Sequence, residues 1–172
     1  EFSFYIGGIK STKPTGTYTV KQAIDLIRSE KYRAAVEHIR RMQNESTKRV
    51  LKAGLDNWTF SGVFAPKRAV DNLAKHSGLL TVDFDHISDV DHVRAELYAD
   101  EYTHAGFISP SGEGIKLLVK IEGTRHEESF EALKAYYLTK YNLAADASGR
   151  DVSRVCFASW DPDAFMNEGS SE

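Results

Sequence analysis

Two aspartates, Asp83 and Asp85, lie at the end of an alternating run, Leu80-Thr81-Val82-Asp83-Phe84-Asp85. In an extended strand residues i and i+2 share a face, so Leu80, Val82 and Phe84 point one way and Thr81, Asp83 and Asp85 the other. Paired carboxylates on one face repel and raise each other's pKa, a conflict that solvent or a cation relieves. Hard oxygen donors of this kind suit Mg²⁺ or Mn²⁺. A plainer reading fits the same residues: Asp85 faces water where the strand ends, and Asp83 caps a turn.

Two further clusters carry chemistry. The run Gly114-Ile115-Lys116-Leu117-Leu118-Val119-Lys120-Ile121 alternates in the same way, which lets Lys116 share the acidic face. Before it stands Ser109-Pro110-Ser111-Gly112-Glu113-Gly114. Ser109 and Ser111 are small, and Gly112 and Gly114 allow backbone amides to approach a phosphate closely; an ordinary hairpin turn has the same composition. The third cluster, Asp146-Ala147-Ser148-Gly149-Arg150-Asp151-Val152-Ser153-Arg154, offers a further carboxylate and, in Arg154, a forked donor for phosphate oxygens. A structural Asp–Arg pair leading into a strand accounts for it equally well.

These clusters need elements to hold them. Phe2 to Ile6 reads as a strand ending at Gly7-Gly8, and Thr19 with Gln22 forms a capping box before a helix. Helical spacing continues through Ala34 to Met42, and a basic stretch from Thr47 to Ala53 stops at Gly54. Trp58 to Phe64 is extended, and Pro66 opens a helix that Gly78 closes. From residue 79 the order is strand 79–85, helix to about 99, strand 103–109, strand 115–121, helix 126–141 capped by Thr124 with Glu127, and strand 152–158. This βαββαβ order predicts an α+β, RRM-like sheet over about residues 79–158, with helices on one face and the other free for ligands. We expect one domain over 1–172: a basic, mainly helical part over 1–76, the RRM-like part over 77–160, and a polar tail over 161–172.

The net charge of −3 conceals segregation: residues 1–76 carry 14 basic against 7 acidic side chains, and residues 77–172 carry 8 against 18. The basic half suits a phosphate backbone and the acidic half suits divalent cations, although solvated helix faces would give the same segregation. No apolar run approaches the roughly 18 residues of a membrane span, and the lone Cys156 cannot close an internal disulfide, so a cytoplasmic protein is expected. The chain starts at Glu1 and ends in polar residues, which suggests a fragment of a longer protein.

The three clusters in this order resemble the VirE N-terminal domain family of mobile elements in Bacteroidetes-type bacteria, a divergent branch of the archaeo-eukaryotic primase superfamily. The resemblance runs from Lys48-Arg49-Val50-Leu51-Lys52 and Thr59 to Phe64, through His76 to Asp85 and Ser109 to Lys116, to Asp151-Val152-Ser153-Arg154 and Ser159-Trp160-Asp161-Pro162. It implies that Asp83, Asp85 and a third acid, Asp146 with Asp151 as the competing choice, hold catalytic Mg²⁺ or Mn²⁺. It further implies a primase or primase-polymerase domain that transfers nucleotides on a single-stranded template. In that role Lys116 and Arg154 clamp the triphosphate, beside Ser109, Ser111, Gly112 and Gly114. Lys48, Arg49, Lys52, Lys67 and Arg68 would track the template, and Trp58 or Phe60 would stack on a base. Where the superfamily carries a phosphate-contacting histidine, this chain has Lys116. That difference supports a rival reading, a primase-fold module that binds single-stranded nucleic acid or a replication partner without chemistry; a metal-dependent nuclease is a third. A helicase or ATPase segment is expected elsewhere in a parent protein, because no G-x-x-x-x-G-K-[ST] loop occurs here.

Overall fold

The computed structural model describes residues 1–172 and shows a mixed α+β fold of antiparallel sheets and five α-helices. One sheet has the order β2-β1-β3-β9, formed by β1 (Phe2–Tyr5), β2 (Gly16–Tyr18), β3 (Asn57–Thr59) and β9 (Cys156–Phe157). The second has the order β10-β7-β8-β6, from β6 (Leu79–Phe84), β7 (Thr103–Ile108), β8 (Ile115–Lys120) and β10 (Phe165–Met166). A two-stranded ribbon pairs β4 (Gly62–Phe64) with β5 (Leu73–His76). The helices are α1 (Val20–Arg28), α2 (Arg33–Arg41), α3 (Glu45–Ala53), α4 (Val90–Tyr98) and α5 (His126–Tyr141), and none is long and apolar enough to cross a membrane.

Local signals act as their chemistry dictates at several ends. Thr19 and Gln22 close the capping box of α1, and Gly54 follows the last residue of α3. The start of α5 differs, since Thr124 donates to Glu122 and no side chain caps the helix. Alternation along β6 buries Leu80, Val82 and Phe84 with Ile115, Leu117 and Val119 beneath Leu97 of α4 and Phe130 and Tyr137 of α5.

The opposite face of this sheet is not free. Leu79, Ala105, Phe107 and Leu118 pack there against Phe2, Phe4, Trp58 and Phe60 and against Ile24 and Ile27 of α1, so the N-terminal elements cover most of it. Trp58 and Phe60 are fully buried and stacked on each other, which removes them as base-stacking platforms. The expected helix from Pro66 to Gly78 is absent. Leu73–His76 pair with β4 instead, because Gly62 lets the chains meet where a Cβ would lie 2.5 Å from the Lys75 carbonyl. The expected strand over 152–158 shrinks to Cys156–Phe157 and pairs with Trp58 and Asn57 in the first sheet. The polar tail is also integral: β10 pairs with β7, and the buried Asp161 carboxylate accepts the Ile108 amide at 2.9 Å.

Candidate functional site

Asp83 on β6 and Lys116 on β8 lie directly opposite in the antiparallel register. Their side chains, only 14% and 11% exposed, form an ion pair in which Lys116 Nζ donates to Asp83 Oδ2. Burial pulls the lysine pKa down, and the negative groups around it, the Asp83 carboxylate foremost and Asp85 with it, together more than offset that pull, so Lys116 stands above its ordinary value and stays charged. The other oxygen, Asp83 Oδ1, is buried with no partner. Beside the pair is a recess of about 10 Å³ bounded by Thr81, Ser148, Gly149, Arg154 and Cys156, enough for one water at most. Burial pushes the Cys156 thiol up to about 12, which leaves it an inert core residue.

The third acid is placed by a single 3-10 turn, Ala147–Arg150, packed along the free edge of β6. Gly149 permits this approach, since a Cβ there would sit 2.8 Å from both the Thr81 carbonyl and the Phe130 ring. The Asp146 amide donates to the Asp83 carbonyl at 2.8 Å, and its side chain accepts the Ser148 amide at 2.7 Å. The Ser148 side chain and this amide hold the Asp146 carboxyl below its usual range. Asp85, half in solvent at the end of β6, is pushed the other way by partial burial and then by the Asp83 carboxylate, with a smaller push from Asp146. Asp83, Asp85 and Asp146 thus share one electrostatic neighbourhood. Asp151 does not join them: its carboxylate accepts Ser153 and borders a separate hollow near His126. No three His, Cys, Asp or Glu side chains converge closely enough to hold a metal ion as they stand.

The loop from Ser109 to Gly114 reaches the acids because Gly114 has no side chain; a Cβ there would lie 2.7 Å from the Phe84 carbonyl and 3.2 Å from Asp85 Oδ1. Gly112, at φ +81°, donates its amide to the Ser109 carbonyl, so that donor closes the turn and is not free for a phosphate. Two N-terminal cations pin this loop. Arg40 of α2 donates to the Ser109 and Trp160 carbonyls, and Lys48 of α3 pairs with Glu113 and Glu45. Arg40 escapes a sequence reading, because nothing distinguishes it from Arg41 beside it until the loop folds back. Lys48, buried and paired, is unsuited to tracking a template. Arg68 is likewise structural, donating to the Ile9 carbonyl and Asn57 and lying over the Tyr5 ring, whereas Arg49, Lys67 and Arg154 are exposed.

A second buried polar group lies behind the 3-10 turn. The Gly78 amide donates to His76 Nδ1, His76 Nε2 meets His126 Nδ1 at 3.0 Å, and His126 Nε2 meets the Gly149 carbonyl at 3.2 Å. The chain is consistent only with two neutral rings, each protonated on Nε2. Burial lowers both pKa values from 6.5, and His126 lowers that of His76 further. Since the folded values lie below the unfolded ones, this contribution is complete above pH 6.5 and is lost as pH falls through the folded values. Urea midpoints should therefore drop between about pH 7.5 and about pH 5.5, and this part of the drop should vanish in a His76→Asn, His126→Asn variant; parallel profiles would contradict the assignment.

No curated protein and no solved structure matches the sequence. The family model described as BT4734-like, N-terminal domain, matches residues 50–166, from α3 through β10, and so spans all three clusters. On that match, which covers more than half of its length, the chain belongs to the BT4734-like N-terminal domain family.

Proposed function

We propose that this chain is a primase-like domain, related to the VirE N-terminal and archaeo-eukaryotic primase families, that binds a nucleoside triphosphate on a single-stranded template and transfers the nucleotide. The β7-β8-β6 strand order with α4 and α5 on one face supports an RRM-like reading, although β9, expected as its last strand, lies in the other sheet and β10 takes the far edge beside β7. The observation that carries the proposal is the grouping of three carboxylates at the end of β6, with Asp83 and Asp85 two residues apart and the Asp146 amide bound to the Asp83 carbonyl at 2.8 Å. Its donor set suits Mg²⁺ or Mn²⁺: all three are hard carboxylates, and Asp83 Oδ1 is buried without a partner. A divalent cation bound there would supply the charge that acidifies an attacking hydroxyl and neutralises a triphosphate. Asp83, Asp85 and Asp146 are its candidate ligands. Arg154 stands exposed beside Asp146 for phosphate oxygens, and Ser111 borders Asp85. Template-dependent incorporation of labelled nucleotide should be abolished by Asp85→Ala combined with Asp146→Ala; incorporation at the wild-type rate would overturn this mechanism.

One observation favours a second reading. The Lys116 ammonium already neutralises Asp83, as expected of a module that keeps the fold and binds nucleic acid without chemistry. Such a module would bind single strands but show no dependence of nucleotide affinity on Mn²⁺.

A further inference from the structure

The recess beside Lys116 is too small for a phosphate group, and Lys116 is already held by Asp83. On the other side of Asp85 lies a cleft of about 160 Å³, lined only by polar side chains. One water needs about 10–15 Å³ of such space, so this cleft has room for a phosphate group where the recess does not. Its walls are α3, the end of β6 and the loop before β8.

The charges facing the cleft are unequally committed. Glu45 and Glu113 are both paired with Lys48, at 3.2 and 3.5 Å. Arg49 and Lys52 belong to no ion pair. Lys52 is near enough to Asp85 to lower its pKa, which puts this cation within reach of the acidic neighbourhood. His86 adds a ring on the wall, set by a left-handed backbone at φ 56° that histidine tolerates better than most residues, while the next amide, of Ile87, is tied to the Glu113 carbonyl. Ser111 supplies a hydroxyl.

We propose that this cleft is the phosphate-binding site of the domain, with Arg49 and Lys52 as its principal cations and His86 and Ser111 as hydrogen-bonding partners. The inference rests on the nucleotidyl-transfer reading for its biological meaning and departs from it in moving the phosphate from the Arg154 side of the acids to the Arg49 and Lys52 side. Arg49 provides a fork for two oxygens and Lys52 a point charge next to Asp85. Lys116 remains a structural counter-ion.

The ligand chemistry is a phosphate anion, from either a triphosphate or a nucleic-acid backbone. The test measures binding of inorganic tripolyphosphate, a nucleoside triphosphate and a single-stranded oligonucleotide, in EDTA, to the wild type, to Arg49→Ala with Lys52→Ala, and to Lys75→Ala. Lys75 is an exposed cation on β5 outside the cleft. The double variant should lose at least about tenfold in affinity for one or more probes, and Lys75→Ala should lose little. Loss for tripolyphosphate and nucleotide assigns the site to the triphosphate; loss for the oligonucleotide alone assigns it to the backbone. Unchanged binding by the double variant, equal loss in Lys75→Ala, or no binding of any probe by the wild type overturns the proposal. Incorporation that survives in the double variant removes the cleft and spares the transfer reading, whereas cleft-dependent binding by a wild type that incorporates nothing does the reverse.

Discussion

Replacing Asp83 by alanine should lower the free energy of unfolding by about 3–5 kcal/mol, the usual result of stripping one partner from a buried ion pair. Lys116, 11% exposed, would be left in the recess with its charge unopposed at short range. Replacing both partners by apolar residues of similar volume, Asp83→Leu with Lys116→Met, should cost far less than the single change and could even stabilise by about 1–4 kcal/mol. Urea unfolding of the wild type, of Asp83→Leu and Lys116→Met alone, and of the two combined would show this non-additivity. Additive losses would mean that the pair is not coupled as its geometry requires.

The second large effect concerns the cation. Lys116→Met leaves the Asp83 carboxylate bare next to Asp85 and Asp146, so removing the internal ammonium should raise Mn²⁺ affinity by at least about tenfold. A unit charge at about 4 Å is worth about 4 kcal/mol at an effective dielectric near 20, well above the roughly 1.4 kcal/mol of a tenfold change. Added Mn²⁺ should also restore stability to this variant, by about 2.7 kcal/mol at a hundredfold excess over the dissociation constant. Paramagnetic resonance of free Mn²⁺ measures the affinity. Equal affinity in both proteins would show that Lys116 does not compete with a cation.

The parts of the site legible in the sequence were those governed by local periodicity. Alternation placed Asp83 on the face opposite Leu80, Val82 and Phe84 and paired it in character with Lys116, and the glycines around residue 112 marked a tight turn. What could not be read was non-local. Nothing in Trp58 or Phe60 indicates that the N-terminal elements fold over the sheet and bury them, since that depends on pairing between residues 2–5 and 57–59. The stretch from Pro66 to Gly78 carries the start and stop residues of a helix, and ribbon pairing of Leu73–His76 with Gly62–Phe64 overrides them. Val152–Ala158 looks like the last strand of an RRM-like sheet, yet the 3-10 turn occupies the edge of β6 and sends Cys156 and Phe157 to the other sheet. Charge segregation suggested a basic template surface, but Lys48 and Arg68, together with Arg40, are spent on holding loops and leave Arg49 and Lys52 as the free pair at the acidic edge.

The most direct test is a crystal structure grown with Mn²⁺ and a nucleoside triphosphate and read by anomalous scattering. Manganese bound among the carboxylates of Asp83, Asp85 and Asp146 is the predicted result. Nucleotide bound with no manganese at these carboxylates, and Lys116 still paired with Asp83, would contradict the account.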